Sequence, residues 1–166
     1  MALKQDQILA GLRATHALTG RLEWIGLRPT CRQPVIEVAE AELLKGKGIA
    51  GDHHSGGSRH GKRQVTLIQA EHLAVIAKLC GVDAVNPAEL RRNLVISGIN
   101  IATLRDQLFS LGEAILHGTG YCHPCSRMEE NLGRGGYNAV RNHGGITAMV
   151  MNSGQIAVGD KLELLD

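Results

Sequence analysis

Residues 146–165 read ITAMVMNSGQIAVGDKLELL, a series of three short apolar segments separated by polar and glycine turns. The first segment, Ile146–Met151, has the length of a strand, and Asn152-Ser153-Gly154 after it is typical of a β-hairpin turn. Two more strands are predicted on either side of a Gly-Asp pair, at Ile156–Val158 and Leu162–Leu165. The end of the chain therefore predicts β-strands joined by tight turns.

The same pattern of short apolar segments recurs toward the N-terminus. Strands are predicted at Leu22–Leu27, Val35–Val38, Val65–Ile68, Leu94–Ile96 and Ala114–Leu116. Helices are predicted at 4–18, 70–80, 126–132 and 136–142, with Pro87 suited to the first position of another short helix. Many short strands and few helices favour an α+β fold that is predominantly β, built as a barrel or bent sheet and not as βαβ layers.

The length and composition are those of one globular domain. The chain has 166 residues, 43% hydrophobic and 20% charged, so we expect a single domain over residues 1–166, with its core at 20–165 after the N-terminal helix. The net charge of +2 does not indicate a general nucleic-acid binder or a membrane-surface protein. Aromatic residues make up 2%, which argues against base-stacking platforms.

The N-terminal segment and the cysteines predict a cytoplasmic protein. MALKQDQILA is interrupted by Lys4, Gln5 and Asp6, so it lacks the apolar region of a signal peptide. No apolar run approaches the ~20 residues that span a bilayer. In a reducing compartment, closely spaced cysteines indicate chemistry or metal binding more than structural disulfides.

The sharpest motif is Cys122-His123-Pro124-Cys125. Two cysteines at this spacing can ligate one metal, cycle between dithiol and disulfide, or supply one thiolate beside a cysteine without a role; both can also be small buried residues. His123 and Arg127 are nearby groups that favour a thiolate. If a helix begins at Ser126, its dipole favours an anion at Cys125.

Two other interpretations of this motif find less support. A thioredoxin-like dithiol is expected beside a βαβ unit, whereas this motif lies late in a chain without that alternation. A structural zinc site requires two further close-set ligands. Cys31 and Cys80 are isolated, which leaves His53, His54 or His60 to complete such a site.

Residues 46–62 form a glycine-rich loop with a basic end. Successive glycines expose backbone N–H groups that can surround an anion. Arg59 within the loop and Arg63 directly after it add positive charge suited to phosphate. A solvated surface loop is the alternative. His53 and His54 are candidate metal ligands or ordinary hydrogen-bonding residues.

A second basic segment, Arg91-Arg92-Asn93, directly precedes a predicted strand. If this stretch is extended, the two arginines point to opposite faces, so one reaches a pocket while the other stays in solvent. Spacing alone is equally consistent with two surface arginines. Glycine-rich turns at 133–136 and 143–145 frame a polar segment between two β elements, where functional loops tend to lie.

Five segments, taken in chain order, resemble those of the MOSC domain, named for the C-terminal domain of molybdenum-cofactor sulfurases. They are Gly48–His53, Arg63–Ile68, Arg91–Ile99, Thr119–Cys125 and Gly154–Asp160. The resemblance extends over residues 20–165, and five segments in order are specific although each alone is not. On these residues the chain is identified as a stand-alone member of the family.

The resemblance implies a mostly β-barrel core and a molybdenum-cofactor or sulfur-handling role centred on one cysteine. The Pro-Cys match makes Cys125 the candidate catalytic residue and metal ligand, with Cys122 second. The candidate cofactor-binding residues are Gly51, Asp52, His53, Arg63, Arg91, Arg92, Asn93 and Arg127. Arginine and backbone donors suit molybdopterin, because its phosphate and oxo-metal groups are rich in acceptors.

Members of this family divide by activity. Some carry sulfur beside a pyridoxal-phosphate desulfurase, and others bind molybdenum cofactor through the cysteine and reduce N-hydroxylated bases or amidoximes with redox partners. This chain has no room for a desulfurase, no visible pyridoxal-phosphate site and no cysteine set for an iron–sulfur cluster. We therefore expect an oxidoreductase component that takes a small-molecule substrate and a separate electron donor. The alternatives are a sulfur carrier served by a cysteine desulfurase, and a non-catalytic zinc- or partner-binding module.

Overall fold

The computed structural model describes residues 2–53 and 61–166. Its strands, β1 to β11 in chain order, are Gly20–Leu27, Ile36–Val38, Glu40–Leu44, Gly48–Ile49, Val65–Gln69, Leu94–Ser97, Leu108–Leu111, Ala114–Tyr121, Ile146–Asn152, Gly154–Ala157 and Lys161–Leu164. Its α-helices, α1 to α4, are Ala2–Ala14, Ala70–Cys80, Ser126–Leu132 and Gly136–Val140. 3₁₀ helices cover Pro87–Leu90 and Ile101–Leu104.

Seven strands close into a barrel in the order β11-β7-β8-β9-β5-β6-β1. Closure comes from the antiparallel pairing of β1 with β11, where Gly20 lies opposite Leu162 and Arg21 opposite Lys161. β2 extends the sheet beside the second half of β1, and β10, β3 and β4 form a separate three-stranded sheet. The prediction of a predominantly β, barrel-like α+β fold is confirmed.

The predicted hairpin at Asn152–Gly154 is wrong. β9 stays in the barrel, whereas β10 pairs with β3, so this segment carries the chain from one sheet to the other. Glycine is needed at 154 for a close approach, since a Cβ there would collide with the backbone of Glu113. The turn residues therefore predicted correctly where β9 ends, but they did not predict that the next strand, β10, pairs with β3.

Three strands are absent from the sequence prediction. β3 has the sequence EAELL, whose residues favour helices, and the tertiary structure overrides that preference because Leu43 is fully buried in the barrel core. β4 lies inside the predicted loop 46–62 and has two residues, too few to show the alternation of a strand. β7 was missed as well, although Phe109 and Leu111 are fully buried.

The barrel wall is covered on both faces around β5 and β6. In β5, Val65 and Leu67 point into the barrel core, whereas Ile68 joins a second apolar cluster outside it. This second cluster includes residues of α2, α3 and α4. Because successive strand residues face opposite sides, Thr66 of β5 also lies on the outer face, where it borders the cavity described below.

The helices lie near their predicted positions, apart from their ends. α2 ends at Cys80 and is capped by Gly81, which adopts the left-handed conformation with φ 71°. Pro87 opens a 3₁₀ helix capped by Asn86. α1 ends at Ala14, four residues before the predicted end, and α4 ends at Val140. No helix within the described residues is long and apolar enough to cross a membrane.

Candidate functional site

A cavity of about 390 Å³ lies on the outer face of the barrel beside β5. Its lining combines cations with thiols. The cations are Arg28, Arg63, Arg91, Arg92 and Arg127, and the thiols are Cys31, Cys122 and Cys125. His53, Thr66, His123, Pro124 and Met128 complete the wall. We call this site the arginine cavity.

Loops bring these groups together from distant parts of the chain. The segment 28–31 follows β1, His53 follows β4, Arg63 precedes β5, Arg91 and Arg92 precede β6, and the segment 122–127 joins β8 to α3. A single strand residue, Thr66, contributes a side chain to the lining. The barrel therefore acts as a rigid support for a site made mostly of loops.

The segment 122–125 is held against the barrel by the backbone. The Cys122 N–H donates to the carbonyl oxygen of Gly145 at 2.9 Å. Cys122 is buried, whereas Cys125 is exposed and occupies the N-cap position of α3, which begins at Ser126 as the sequence predicted. Cys125 is thus the cysteine of the motif that solvent and ligands can reach.

Arg92 is a buried cation held by carbonyl oxygens. Its guanidinium donates to Gly144 and Leu90, both at 2.8 Å, and to Cys122 at 3.4 Å. Burial lowers the pKa of Arg92. No carboxylate of the described residues pairs with it. A buried positive charge without an anionic partner favours an anion in the adjoining cavity.

Arg28, by contrast, has a carboxylate partner. Its Nε and Nη2 donate to the two carboxylate oxygens of Asp52 at 3.1 and 3.2 Å, and both side chains are buried. Asn93 joins the pair: its amide donates to Asp52, and its Oδ1 accepts from Arg28 and Thr66. Asp52 and Asn93 therefore fix the position of Arg28 from behind the cavity wall.

The other three arginines extend over the cavity. Arg63 places Nη2 at 3.8 Å from the Cys122 sulfur, and Arg127 places Nη2 at 3.9 Å from the Cys31 sulfur. The pKa of Arg91 is lowered, first by burial and then by the charges of Arg127 and Arg28. These cations repel one another, so a bound anion would relieve the repulsion.

Most of the sequence-predicted residues meet at this site. His53, Arg63, Arg91, Arg92, Arg127 and both motif cysteines line it, and Asp52 and Asn93 lie behind it. Gly51 does not line the cavity; it is exposed, with φ 84°. His54, Arg59 and His60 lie outside the described residues.

The extended stretch that would point Arg91 and Arg92 to opposite faces is not present. Both line the cavity, because Arg91 adopts a left-handed conformation with φ 54° and the stretch is not extended there. Arg28 and Cys31 are among the lining residues that sequence reasoning missed. Arg28 follows the predicted strand Leu22–Leu27 without any motif to mark it, and Cys31 is likewise isolated in the sequence.

Gly144→Ala should displace the motif segment from the barrel. A Cβ at Gly144 would collide with the carbonyl oxygen of Cys122 and lie 3.1 Å from Nη2 of Arg92. We expect a loss of about 1–3 kcal/mol in the free energy of unfolding, measured in urea. Gly11→Ala is the control, because a Cβ there meets nothing beyond the adjacent turns of α1 and alanine favours a helix, so this variant should lose no stability. A Gly144 variant as stable as the Gly11 variant would contradict this packing.

Within residues 2–53 and 61–166, no group of three or more His, Cys, Asp or Glu side chains is placed to hold a metal ion. Three thiols and two histidines, His53 and His123, line the cavity, but no three of them are grouped as metal ligands. The described residues therefore do not form a complete protein-only metal site, and a metal here would need ligands from another molecule.

The comparisons with known proteins agree with this architecture. The YuaD protein of Bacillus subtilis superposes with a TM-score of 0.77 at 22% identity, covering 89% of this chain and 96% of that one. YiiM of Escherichia coli gives 0.67 at 21% identity, with 88% and 70% covered. YiiM of Geobacillus stearothermophilus gives 0.71 at 16%, with 89% and 75% covered. At these identities the likeness shows the fold alone.

No curated protein matches the sequence significantly. The sequence model of the MOSC domain matches residues 50–163, which include the barrel strands from β5 to β11 and nearly the whole arginine cavity. Since that match covers more than half of the chain, the protein belongs to the MOSC domain family, whose members are typically associated with molybdenum cofactor.

Proposed function

We propose that the arginine cavity binds molybdenum cofactor and that the Cys125 thiolate is the protein ligand of the metal. We further propose that the holoprotein reduces the N–O bond of N-hydroxylated bases or amines. The observation that carries the proposal is an exposed thiol, Cys125, on the wall of a cavity lined by five arginines. Thiolate is a ligand for soft metals, and guanidinium is a preferred partner of phosphate.

The residues present fit such a cofactor in charge and size. Asp52 pairs with Arg28, and the other four cavity arginines have no carboxylate partner among the described residues. An anionic ligand would supply the missing negative charge. The volume of about 390 Å³ falls in the range of roughly 300–1,000 Å³ found for small-molecule sites.

The chain's own groups would orient the ligand and deliver protons. Arg63 and Arg92 contact Cys122 of the motif segment, while Arg91 and Arg127 contact the turn that carries Cys31. His53 donates from Nδ1 to the carbonyl oxygen of Arg28, which fixes its ring at the cavity. We assign proton delivery to His53 and to the exposed His123.

The proposed reaction consumes two electrons and two protons for each N–O bond. A hydroxylamine R–NH–OH gives the amine R–NH₂, and the oxygen leaves as water. When bound, the cofactor supplies the two-electron redox chemistry. Electrons would come from a separate donor protein, in a reducing compartment such as the cytosol where the Cys125 thiol stays available.

Product formation from N-hydroxycytosine tests the proposal. Protein purified from a host that makes molybdenum cofactor, supplied with a chemically reduced dye, should convert the base to cytosine. Cys125→Ala should abolish the reaction. Cys80→Ala should retain it, because Cys80 lies outside the cavity. Equal turnover by the Cys125 and Cys80 variants would refute the role of Cys125.

One observation also supports sulfur transfer as a second candidate function. Because Cys125 is exposed, a partner desulfurase could reach its sulfur and leave a persulfide there. Incubation with a cysteine desulfurase and cysteine should then add one sulfur atom to the peptide that contains Cys125, as seen by mass spectrometry. A peptide of unchanged mass would exclude this candidate.

A further inference from the structure

Three thiols line the arginine cavity, and the pair closest in sequence is poorly placed to form a disulfide. The chain makes neither a turn nor a bend across Cys122–Cys125. Three residues of extended chain span about 10 Å, whereas bridged cysteines have Cα atoms roughly 4.4–6.8 Å apart. A Cys122–Cys125 disulfide would therefore require the motif segment to refold.

The third thiol, Cys31, is fixed at the cavity by its own turn. The Gln33 N–H donates to the Thr30 carbonyl at 3.4 Å, and Arg32 between them has φ 67°. From outside the turn, Arg91 donates to the carbonyl of Gln33 at 3.0 Å. These contacts hold the turn beside the cavity, so Cys31 is part of the site and not a cysteine on a separate surface.

Arg127 links this turn to the motif segment. Its Nη2 lies 3.9 Å from the sulfur of Cys31, and Arg127 itself follows Cys125 by two residues in the first turn of α3. Cys31 and Cys125 are both exposed, whereas Cys122 is buried. A small oxidant can therefore reach both exposed thiols of the cavity wall, Cys31 beside the Arg127 guanidinium and Cys125 two residues before Arg127.

We propose that Cys31 and Cys125 are an oxidisable pair that forms a disulfide across the arginine cavity when the protein meets a peroxide. The Cys125 thiolate attacks one peroxide oxygen, so that an S–O bond forms, the O–O bond breaks and hydroxide leaves. The Cys31 thiolate then attacks the Cys125 sulfur, an S–S bond forms, and the second oxygen leaves as hydroxide. With the two thiol protons, the products are one disulfide and two waters.

The disulfide would prevent cofactor binding, a consequence that rests on the proposed function. A sulfur in a disulfide is no longer a thiolate and cannot ligate a metal. The bridge would also cross the space that the cofactor would occupy. Peroxide would thus convert the chain reversibly into a form that cannot be loaded, until a thiol reductant restores both cysteines.

Peptide mapping without reductant tests for the Cys31–Cys125 disulfide independently of cofactor binding. The full-length protein, made in a host without molybdenum cofactor, is treated with hydrogen peroxide and digested. We expect a cross-linked peptide pair containing Cys31 and Cys125. Cys31→Ser should yield no cross-link and leave Cys125 as sulfinic acid, while Cys80→Ser should cross-link like the wild type. Circular dichroism establishes that each variant is folded.

Two results would overturn the proposed pair. One is a Cys122–Cys125 link as the main product, and the other is over-oxidised Cys125 without any link in the wild type. Cofactor uptake is a separate measurement: the oxidised wild type should take up none, and the oxidised Cys80→Ser control should behave in the same way. A confirmed link with normal cofactor uptake would disprove the consequence while leaving the bridge intact.

Discussion

Asp52→Asn is expected to lower the free energy of unfolding by about 3–5 kcal/mol, the usual cost of removing one member of a buried ion pair. The Arg28 guanidinium would remain buried with no carboxylate beside it. Asn93 would meanwhile lose the charged acceptor of its amide. Because the charge of Arg28 acts on both Arg91 and Arg92, the unpaired guanidinium would also raise the repulsion within the site.

The matched control is Asp106→Asn. Asp106 pairs with Arg105 at 3.4 Å, but both side chains are exposed, by 71% and 45%. Exposed ion pairs contribute about 0–1 kcal/mol to stability, so this variant should unfold at nearly the same urea concentration as the wild type. Urea unfolding followed by circular dichroism measures both. Equal midpoints for the two variants would mean that the Arg28–Asp52 pair contributes no more than a surface contact.

Arg92→Met is expected to weaken cofactor binding by about tenfold to a hundredfold or more. Contacts with the described residues use three of the five guanidinium N–H groups, which leaves two for a ligand. A hydrogen bond to a charged group contributes about 1.5–3 kcal/mol, and about 1.4 kcal/mol corresponds to a factor of ten. Pterin fluorescence during titration measures the dissociation constant.

Two further variants separate the effect of the Arg92 charge on binding from the effect of its planar set of donors. Arg92→Lys keeps the charge but cannot reproduce the planar set of donors, so its affinity should fall between those of the wild type and Arg92→Met. Arg141→Met removes an exposed arginine that does not line the cavity and should bind like the wild type. Unchanged affinity in Arg92→Met, with the fold intact, would remove Arg92 from the binding site.

Local signals in the sequence predicted the β5–α2–β6 unit well. The apolar strand at Val65, the helical spacing after Ala70 and the stop at Gly81 each reflect a short-range preference. Pairing between distant strands has no such signal. The barrel closes by pairing β1 with β11, and β10 pairs with β3 although the sequence predicted β9 as its partner. Both pairings depend on contacts between distant parts of the chain.

The candidate site likewise contains residues that local motifs predict and residues that only the folded chain brings together. Cys125, Arg63 and Arg92 could be selected because they lie in or beside recognisable motifs. Cys31 could not, since only the folded chain brings it to Arg127. Arg28 became visible through its buried partner Asp52, which is 24 residues away.

Molybdenum and pterin analysis of the purified protein tests the central claim most directly. Wild-type protein and Cys80→Ala from a host that makes the cofactor should contain about one molybdenum and one pterin per chain. Cys125→Ala, although folded, should have lost the metal. Wild-type protein free of molybdenum, or a Cys125→Ala variant that retains it fully, would contradict the assignment of the arginine cavity and Cys125 to this cofactor.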